Sequence, residues 1–118
     1  MDYRPHRKLV AWQKSMELVQ DVYKVSGDFP KNEEYGLSAQ MRRAALSIPS
    51  NIAEGAARKG SKEFRQFLNI AQGSISELDT QLELACLIGY INMSQHEVIT
   101  AKLTGISKML YGLSKAVK

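Results

Sequence analysis

The sequence of 118 residues has one cysteine, two histidines, three prolines and no long apolar run. Because Cys86 is alone, no internal disulfide can form, and its leucine and alanine neighbours indicate a buried, inert thiol. No apolar stretch approaches the roughly 20 residues that cross a membrane, and the basic segment at residues 4–8 is not followed by a secretory core. We therefore expect a protein of the reducing cytoplasm with no membrane partner.

Patterns that carry catalysis are also scarce. His6 and His96 have no Cys, Asp or Glu at the spacing of metal ligands, and the chain has neither a phosphate-binding glycine loop nor a nucleophile elbow. Glu77 and Glu83 could act as paired carboxylates, but the di-metal sites of helical bundles need Glu-x-x-His pairs, which this sequence lacks. We therefore predict that the chain is not an enzyme and binds no metal or cofactor.

The chain does contain apolar residues three and four positions apart, in segments at about 9–26, 33–58, 61–88 and 94–117. Short links and the absence of a strand pattern predict an all-α fold, an antiparallel up-down four-helix bundle. At this length the chain is expected to form one domain over residues 1–118. The stripe of the first helix that we expect to be buried consists of Leu9, Trp12, Met16, Val19, Val22 and Tyr23.

Local signals indicate how the helices end and meet. Gly27 can take the left-handed conformation that closes a helix, and Ser61 is a good N-cap for the third helix. Ser94 with Glu97 is typical of a capping box at the start of the fourth. Gly73 lies inside the third helix at a cost of about 1 kcal/mol relative to alanine. Its presence there suggests that another backbone passes close by.

The second helix contains Pro49. Proline removes the amide that would donate to the carbonyl four residues earlier, and it normally kinks or ends a helix. Because the apolar spacing continues on both sides, we predict a continuous helix that is kinked at Pro49. Ser47 and Ser50 flank the proline and could satisfy the freed backbone groups.

A polar stripe follows one face of this helix. Such a stripe is most often solvated, but serine and asparagine are poor interior helix formers unless something holds them, so we predict a polar network between helices or between subunits. If the following turn centres near Gly60, Arg43 lies level with Glu77 and Ser47 with Gly73. We predict an Arg43–Glu77 ion pair inside the bundle or at its seam. The stripe consists of Gln40, Arg43, Ser47, Asn51, Glu54 and Arg58.

The formal net charge of +4 is unevenly distributed. Residues 1–65 carry 12 Lys and Arg against 8 Asp and Glu, whereas residues 66–118 carry 4 of each. Two clusters, at residues 4–8 and 58–65, hold most of the excess positive charge. In a monomer such clusters are usually solvated helix ends, but an oligomer would repeat each cluster around its axis. Tyr3 and Tyr35 could stack on bases, although packing at a helix end is the more common role. The residues predicted to contact nucleic acid are Arg4, Arg7, Lys8, Arg42, Arg58, Lys59, Lys62 and Arg65.

Several motifs together resemble one family. They are Tyr35-Gly36-Leu37, QMRRAA at residues 40–45, SIPSNIAEG at residues 47–55, and residues 63–78 with their Glu-Phe, Gly-Ser and Glu-Leu pairs. Over nearly its whole length the sequence resembles the bacterial four-helix-bundle proteins encoded in intervening sequences of 23S rRNA genes. The resemblance implies a homopentameric ring. It also implies kinship with the basic accessory proteins of diversity-generating retroelements, which associate with a reverse transcriptase and nucleic acid. It supplies no catalytic residues.

Two hypotheses about function follow. The first is a non-catalytic homo-oligomer, a pentamer by resemblance, that binds RNA or DNA through its phosphate backbone, with structured RNA preferred. The second is an interaction scaffold that holds a polymerase or another protein partner without touching nucleic acid. The second would require an exposed apolar patch on the assembled protein.

Overall fold

The computed structural model describes residues 4–117. Among these residues no strand occurs, and successive helices pack against each other in a particle of 44 × 22 × 22 Å. Because α1 also packs on α4, the four helices close into the predicted all-α up-down four-helix bundle, which is confirmed. The helices are α1 (Val10–Ser26), α2 (Leu37–Ala56), α3 (Ser61–Leu87) and α4 (Met93–Ala116), with 3-10 turns at Pro5–Lys8 and Lys31–Glu33.

The core runs along the axis of the bundle, and every long helix contributes to it. Burying a leucine, isoleucine or methionine side chain in this core stabilises the folded state by about 1.5–3 kcal/mol. Cys86 is half-buried against this core, as a free thiol. The largest fully buried side chains include Leu18, Met41, Ile48, Ile52, Leu68, Leu78, Leu82, Leu103, Ile106 and Leu110.

In the part of the chain that the structure describes, no helix is long and apolar enough to span a bilayer.

The buried face of α1 lies to one side of the predicted stripe. Val22 is fully buried as expected, but Met16 and Tyr23 are about 40% exposed. Three of its five buried residues are alanine or serine, so small side chains share the core face with Leu18 and Val22. The face is therefore determined by fit rather than by the bulkiest residues. The buried residues of α1 are Ala11, Ser15, Leu18, Val22 and Ser26.

A side chain determines where α2 begins, which is four residues later than predicted. Residues 31–33 form a separate 3-10 turn, and Glu33 Oε1 accepts the Leu37 amide at 3.1 Å. Glu33 Oε2 accepts the Tyr90 hydroxyl at 2.8 Å, and the Tyr90 ring lies 5.0 Å from the Phe29 ring between centroids. This cluster ties the α1–α2 connection to the α3–α4 connection. From Leu37 the helix continues through Pro49 to Ala56, so the predicted continuity is confirmed.

The capping box of α4 is formed by a different pair from the one predicted. The Asn92 side chain accepts the Gln95 amide at 2.8 Å, and the Gln95 side chain accepts the Asn92 amide at 2.8 Å. The predicted pair, Ser94 and Glu97, lies two residues further along, inside the helix. Asparagine caps a helix as well as serine does, and Asn92 rather than Ser94 is the N-cap of α4.

Two other helix ends differ in part from their predictions. Gly27 ends α1 as predicted, but its φ of −64° lies in the right-handed region. Ser61 is the first residue of α3, and the N-cap is Gly60, with no side-chain hydrogen bond. Among the residues that are described, the left-handed region is occupied by Gly89 alone, at a φ of 86° in the α3–α4 connection.

The close approach between α2 and α3 occurs at Gly55. A Cβ atom there would lie 2.8 Å from Phe67 Cβ and 2.9 Å from Phe64 Cδ1, distances at which something must shift. At Gly73, where the sequence suggested close approach, a Cβ atom would meet no atom within 4 Å beyond its neighbours in the same helix. Within one chain, Gly55 rather than Gly73 therefore lets two helices touch.

Substitution of the two glycines by alanine is expected to have opposite effects. Gly55→Ala overpacks the α2–α3 contact and should lower the free energy of unfolding by about 1–3 kcal/mol. Gly73→Ala, the matched control inside α3, should raise it by up to about 1 kcal/mol through helix propensity. Denaturant titration measures both. Equal effects would contradict the close approach at Gly55.

The Glu33 cluster is expected to make stability depend on pH. The Leu37 amide, and after it the Tyr90 hydroxyl, lower the pKa of Glu33 from its usual 4.5, and the same bond raises the pKa of Tyr90 above 10.0. Because the folded Glu33 pKa is lowered, its stabilisation is complete above the usual pKa and is lost as the pH falls through the folded value.

Glu33→Gln should therefore be less stable than the wild type at neutral pH, with a difference that shrinks between about pH 5 and 3. Unfolding titrations at several pH values measure this. Glu34→Gln is the control, because Glu34 is exposed and makes no such bonds. A difference that persists unchanged at pH 3 would mean that the Glu33 charge plays no part.

Candidate nucleic-acid interface

The up-down topology brings two basic segments of the sequence, residues 4–8 and 58–65, to one end of the bundle. The start of α1, the end of α2, the start of α3 and the end of α4 meet there, and the 3-10 turn at residues 5–8 packs against both α1 and α2. Phe64 and Phe67 of α3 contact Gly55 of α2. Arg65 reaches the last carbonyls of α4. Residues far apart in sequence therefore share one surface.

We call this surface the basic end. It carries 8 of the 16 Lys and Arg side chains of the sequence. Among the described residues at this end, two carboxylates, Glu54 and Glu63, offset them, which leaves a formal charge of +6. Lys115 was missed by the sequence analysis, although its place in the last turn of α4 was a usable signal. The basic end consists of Arg4, Arg7, Lys8, Arg58, Lys59, Lys62, Arg65 and Lys115.

The opposite end of the bundle does not cancel this charge. The α1–α2 connection at residues 27–36 carries Asp28, Glu33 and Glu34 against Lys31, so it is net negative. The long dimension of the particle is 44 Å, whereas charges are screened over about 8 Å at physiological ionic strength. A polyanion approaching the basic end therefore experiences its positive field with little contribution from the far end.

Two arginines of the basic end are partly engaged within the protein. Arg65 Nε donates to the Ser114 carbonyl at 3.1 Å and its Nη2 to the Val117 carbonyl at 2.7 Å, which closes the C-terminus of α4. Arg58 lies 3.6 Å from the Glu54 carboxylate and 5.0 Å from the centroid of the Phe67 ring. Their charge contributes to the field, but their geometry serves the fold.

Lysines dominate the cations that remain available. Lys8, Lys59, Lys62 and Lys115 are exposed, as is Arg7, and none of these side chains has a hydrogen bond or ion pair within residues 4–117. Flexible ammonium groups of this kind bind phosphate as point charges and do not select a base.

Arg42 does not belong to this surface. It lies near the start of α2, at the opposite end, and its Nε donates to Ser26 Oγ at 2.8 Å. Its Nη2 donates to the Tyr23 carbonyl at 3.4 Å, and its guanidinium lies 4.6 Å from the centroid of the Tyr23 ring. Arg42 therefore joins α2 to the end of α1 and lies away from the other cations predicted to contact nucleic acid, and its own contact with nucleic acid stays a prediction.

The middle of the polar stripe forms a network between helices. Ser47 Oγ accepts a hydrogen bond from Asn51 Nδ2 at 2.9 Å and another from Ser74 Oγ of α3 at 2.8 Å. The hydroxyl of Ser47 is therefore used across the seam and not for the backbone groups freed by Pro49. Gln40 and Glu54 at the ends of the stripe are exposed.

The predicted Arg43–Glu77 ion pair is wrong within one chain. Both residues are exposed, and no ion pair joins them. Ser47 and Ser74 occupy the contact line between the helices. Arg43 precedes Ser47 by four residues and Glu77 follows Ser74 by three, and each is rotated outward from that line.

Tyr35, one of the two tyrosines considered for base stacking, does not lie on the basic end. Tyr3 is outside the described residues. Tyr35 is 91% exposed, but it follows Glu33 and Glu34 in the connection at the opposite end.

In the part of the protein described, no three His, Cys, Asp or Glu side chains are grouped so that they could hold a metal ion.

Comparison with known proteins agrees with the fold. A family model described as 23S rRNA-intervening sequence protein matches residues 7–112, from the first 3-10 turn into α4. The chain is also similar to a solved structure from Bacteroides thetaiotaomicron, described as a protein with unknown function from the S23 ribosomal protein family. The two are 31% identical, with a TM-score of 0.81 over 91% of this chain and 100% of the other. No curated protein matches the chain.

Proposed function

The chain belongs to the 23S rRNA-intervening sequence protein family, and from this premise we propose that it is a non-catalytic cytoplasmic protein that binds structured RNA through its basic end. It acts as a homo-oligomer. The observation that carries this proposal is the gathering of eight cationic side chains at one end of a single bundle.

The basic end supports binding to a phosphate backbone rather than reading of a sequence. Its described lysines are exposed, and such ammonium groups bind phosphate as point charges without selecting a base. A net charge of +6 at one end raises the local concentration of a polyanion and releases its counterions on binding. Affinity is therefore expected to depend on salt more than on base sequence.

The outer surface of α3 supports self-association. Ile70, Glu77 and Leu84 are seven residues apart and lie on one face of α3, and the two apolar members are 50% and 47% exposed. Gly73 lies beside this row, with open space over its Cα. Arg43, exposed on the adjacent helix, provides a positive charge that Glu77 of a second copy can pair with. This is the geometry of a surface that another helix can approach closely.

The charge of the basic end is expected to control RNA binding. Lys59→Gln with Lys62→Gln should weaken binding of an RNA hairpin and lower the slope of log affinity against log salt by about 1 for each lysine. Lys24→Gln with Lys31→Gln is the matched control, because it removes the same charge from exposed positions at the opposite end. Fluorescence anisotropy at several salt concentrations measures both pairs.

The two pairs must differ for the basic end to be the binding surface. If both weaken binding equally, net charge alone is responsible. If affinity is the same at low and moderate salt, binding through phosphates does not occur.

Self-association is expected to depend on the outer face of α3. Light scattering should give a mass about five times the 13.2 kDa of one chain, the number that the family resemblance implies. Ile70→Asp should lower this mass by placing a charge in the contact. Val98→Asp on α4 is the control, since Val98 is 55% exposed on another helix. A monomeric wild type would contradict the oligomer.

A second candidate function is an interaction scaffold for a polymerase or another protein. It is favoured by exposed apolar side chains around the α3–α4 connection, where Leu87 is 78%, Ile88 48% and Met93 73% exposed. Nuclease treatment of a captured complex distinguishes the two functions. A protein partner bound to this cluster stays associated, whereas a partner held through RNA is released.

A further inference from the structure

A groove of about 370 Å³ lies between α3 and α4, next to the basic end. Leu68 and Leu110, each 1% exposed, form its apolar floor. Gln72 Nε2 donates to the Ser107 carbonyl at 2.9 Å, and Ser107 Oγ donates to Gln72 Oε1 at 2.8 Å. This reciprocal pair crosses the groove and holds its walls at a fixed separation. The volume lies in the lower part of the range of small-ligand sites.

Polar groups line the groove without a partner in the protein. The Asn69 amide and the hydroxyls of Ser76 and Ser114 make no hydrogen bond within residues 4–117. Asn69 and Ser76 are seven residues apart and form one row along α3. The Asn69 amide and the two serine hydroxyls can therefore donate and accept hydrogen bonds to a ligand that lies on the two leucines.

Tyr111 forms the α4 wall of the groove and is 66% exposed. Its ring makes no aromatic or cation–π contact, and its hydroxyl makes no hydrogen bond, within the described chain. Two other tyrosine rings are in contact with neighbouring side chains: Tyr23 with Arg42, and Tyr90 with Phe29. Tyr111 therefore presents an uncovered aromatic face directly beside a polar groove.

Lysines flank this aromatic ring. Lys108 and Lys115 lie three residues before and four residues after Tyr111, one turn away on each side of the same face. Lys62 lies seven residues before Asn69, in the same row of α3. Lys62 and Lys115 belong to the basic end, so its positive surface continues into the groove.

We propose that this groove binds one unpaired nucleotide of an RNA strand, with the base stacked on Tyr111 and the flanking phosphates on Lys62, Lys108 and Lys115. The proposal rests on the proposed function and specifies its ligand. Proteins that bind single-stranded nucleic acid commonly present an exposed aromatic ring among cationic side chains, because every base has a face that can stack on the ring. Asn69 and Ser76 can then bond the base edge.

The groove favours unpaired over paired RNA for a physical reason. In a duplex, both faces of a base are stacked and its pairing edge is occupied, so neither Tyr111 nor Asn69 could reach it. A loop or bulge presents a base that can be splayed out. The basic end can contact the phosphates of either form, so the groove adds a preference for loops that the charge alone does not provide.

Anisotropy titrations of the full chain with two RNA probes of equal phosphate number, a single strand and a blunt duplex, test this. Tyr111→Ala should weaken binding of the single strand by about tenfold, which corresponds to 1.4 kcal/mol, within the range of base stacking. Binding of the duplex should change by less than about twofold. Tyr111→Phe keeps the ring and should bind as the wild type does. Ser76→Leu fills the groove and should reproduce the loss.

Tyr35→Ala is the matched control, since it removes an exposed tyrosine from the opposite end. If Tyr111→Ala binds the single strand as tightly as the wild type, the groove proposal is overturned. Should the Lys59 and Lys62 variants still weaken both probes in that case, the proposed function stands without the groove. A wild type that binds neither probe overturns both.

Discussion

The contact between α2 and α3 is the constraint on which the rest of the structure depends. At Gly55 the missing side chain lets Phe64 and Phe67 lie directly against α2. Further along the seam, Ser47 accepts the Ser74 hydroxyl at 2.8 Å. An apolar contact at one level and a polar one at another fix the register of the hairpin. α1 and α4 then pack on its two sides, and the surfaces left exposed follow from that register.

The antiparallel register also arranges the charge. The net charge of +4 is modest for the whole chain, and the sequence alone predicts a concentrated positive surface only in an oligomer. The fold concentrates it within one copy, because helix starts and helix ends alternate and the two basic segments meet. An elongated bundle keeps them away from the carboxylates of the opposite end by several screening lengths. Oligomerisation would multiply a field that a single chain already has.

Arginine and lysine have different roles in this protein. Arg42 donates to a hydroxyl and a carbonyl at the end of α1, and Arg65 donates to two carbonyls at the end of α4, because a planar guanidinium can make two directed bonds at once. Lys59, Lys62 and Lys115 remain exposed. The directed donors stabilise helix ends, and the flexible charges face solvent. This division suits binding to a phosphate backbone and leaves base contacts to a separate feature such as the groove beside Tyr111.

The sequence by itself determined the helices, their order and the bundle, because spacing of apolar residues is a local property that survives in any packing. It also located most of the cations of the basic end. Only the tertiary structure decided that Arg42 is engaged, that Arg43 and Glu77 do not pair, and that Lys115 and Tyr111 lie beside residues of α3. Those outcomes depend on the rotation and register of each helix against its neighbours, and a rotation of a few tens of degrees moves a side chain from the seam to solvent. The fit of small residues such as Ser15 and Gly55 determines that rotation, and the spacing of apolar residues in the sequence does not predict it.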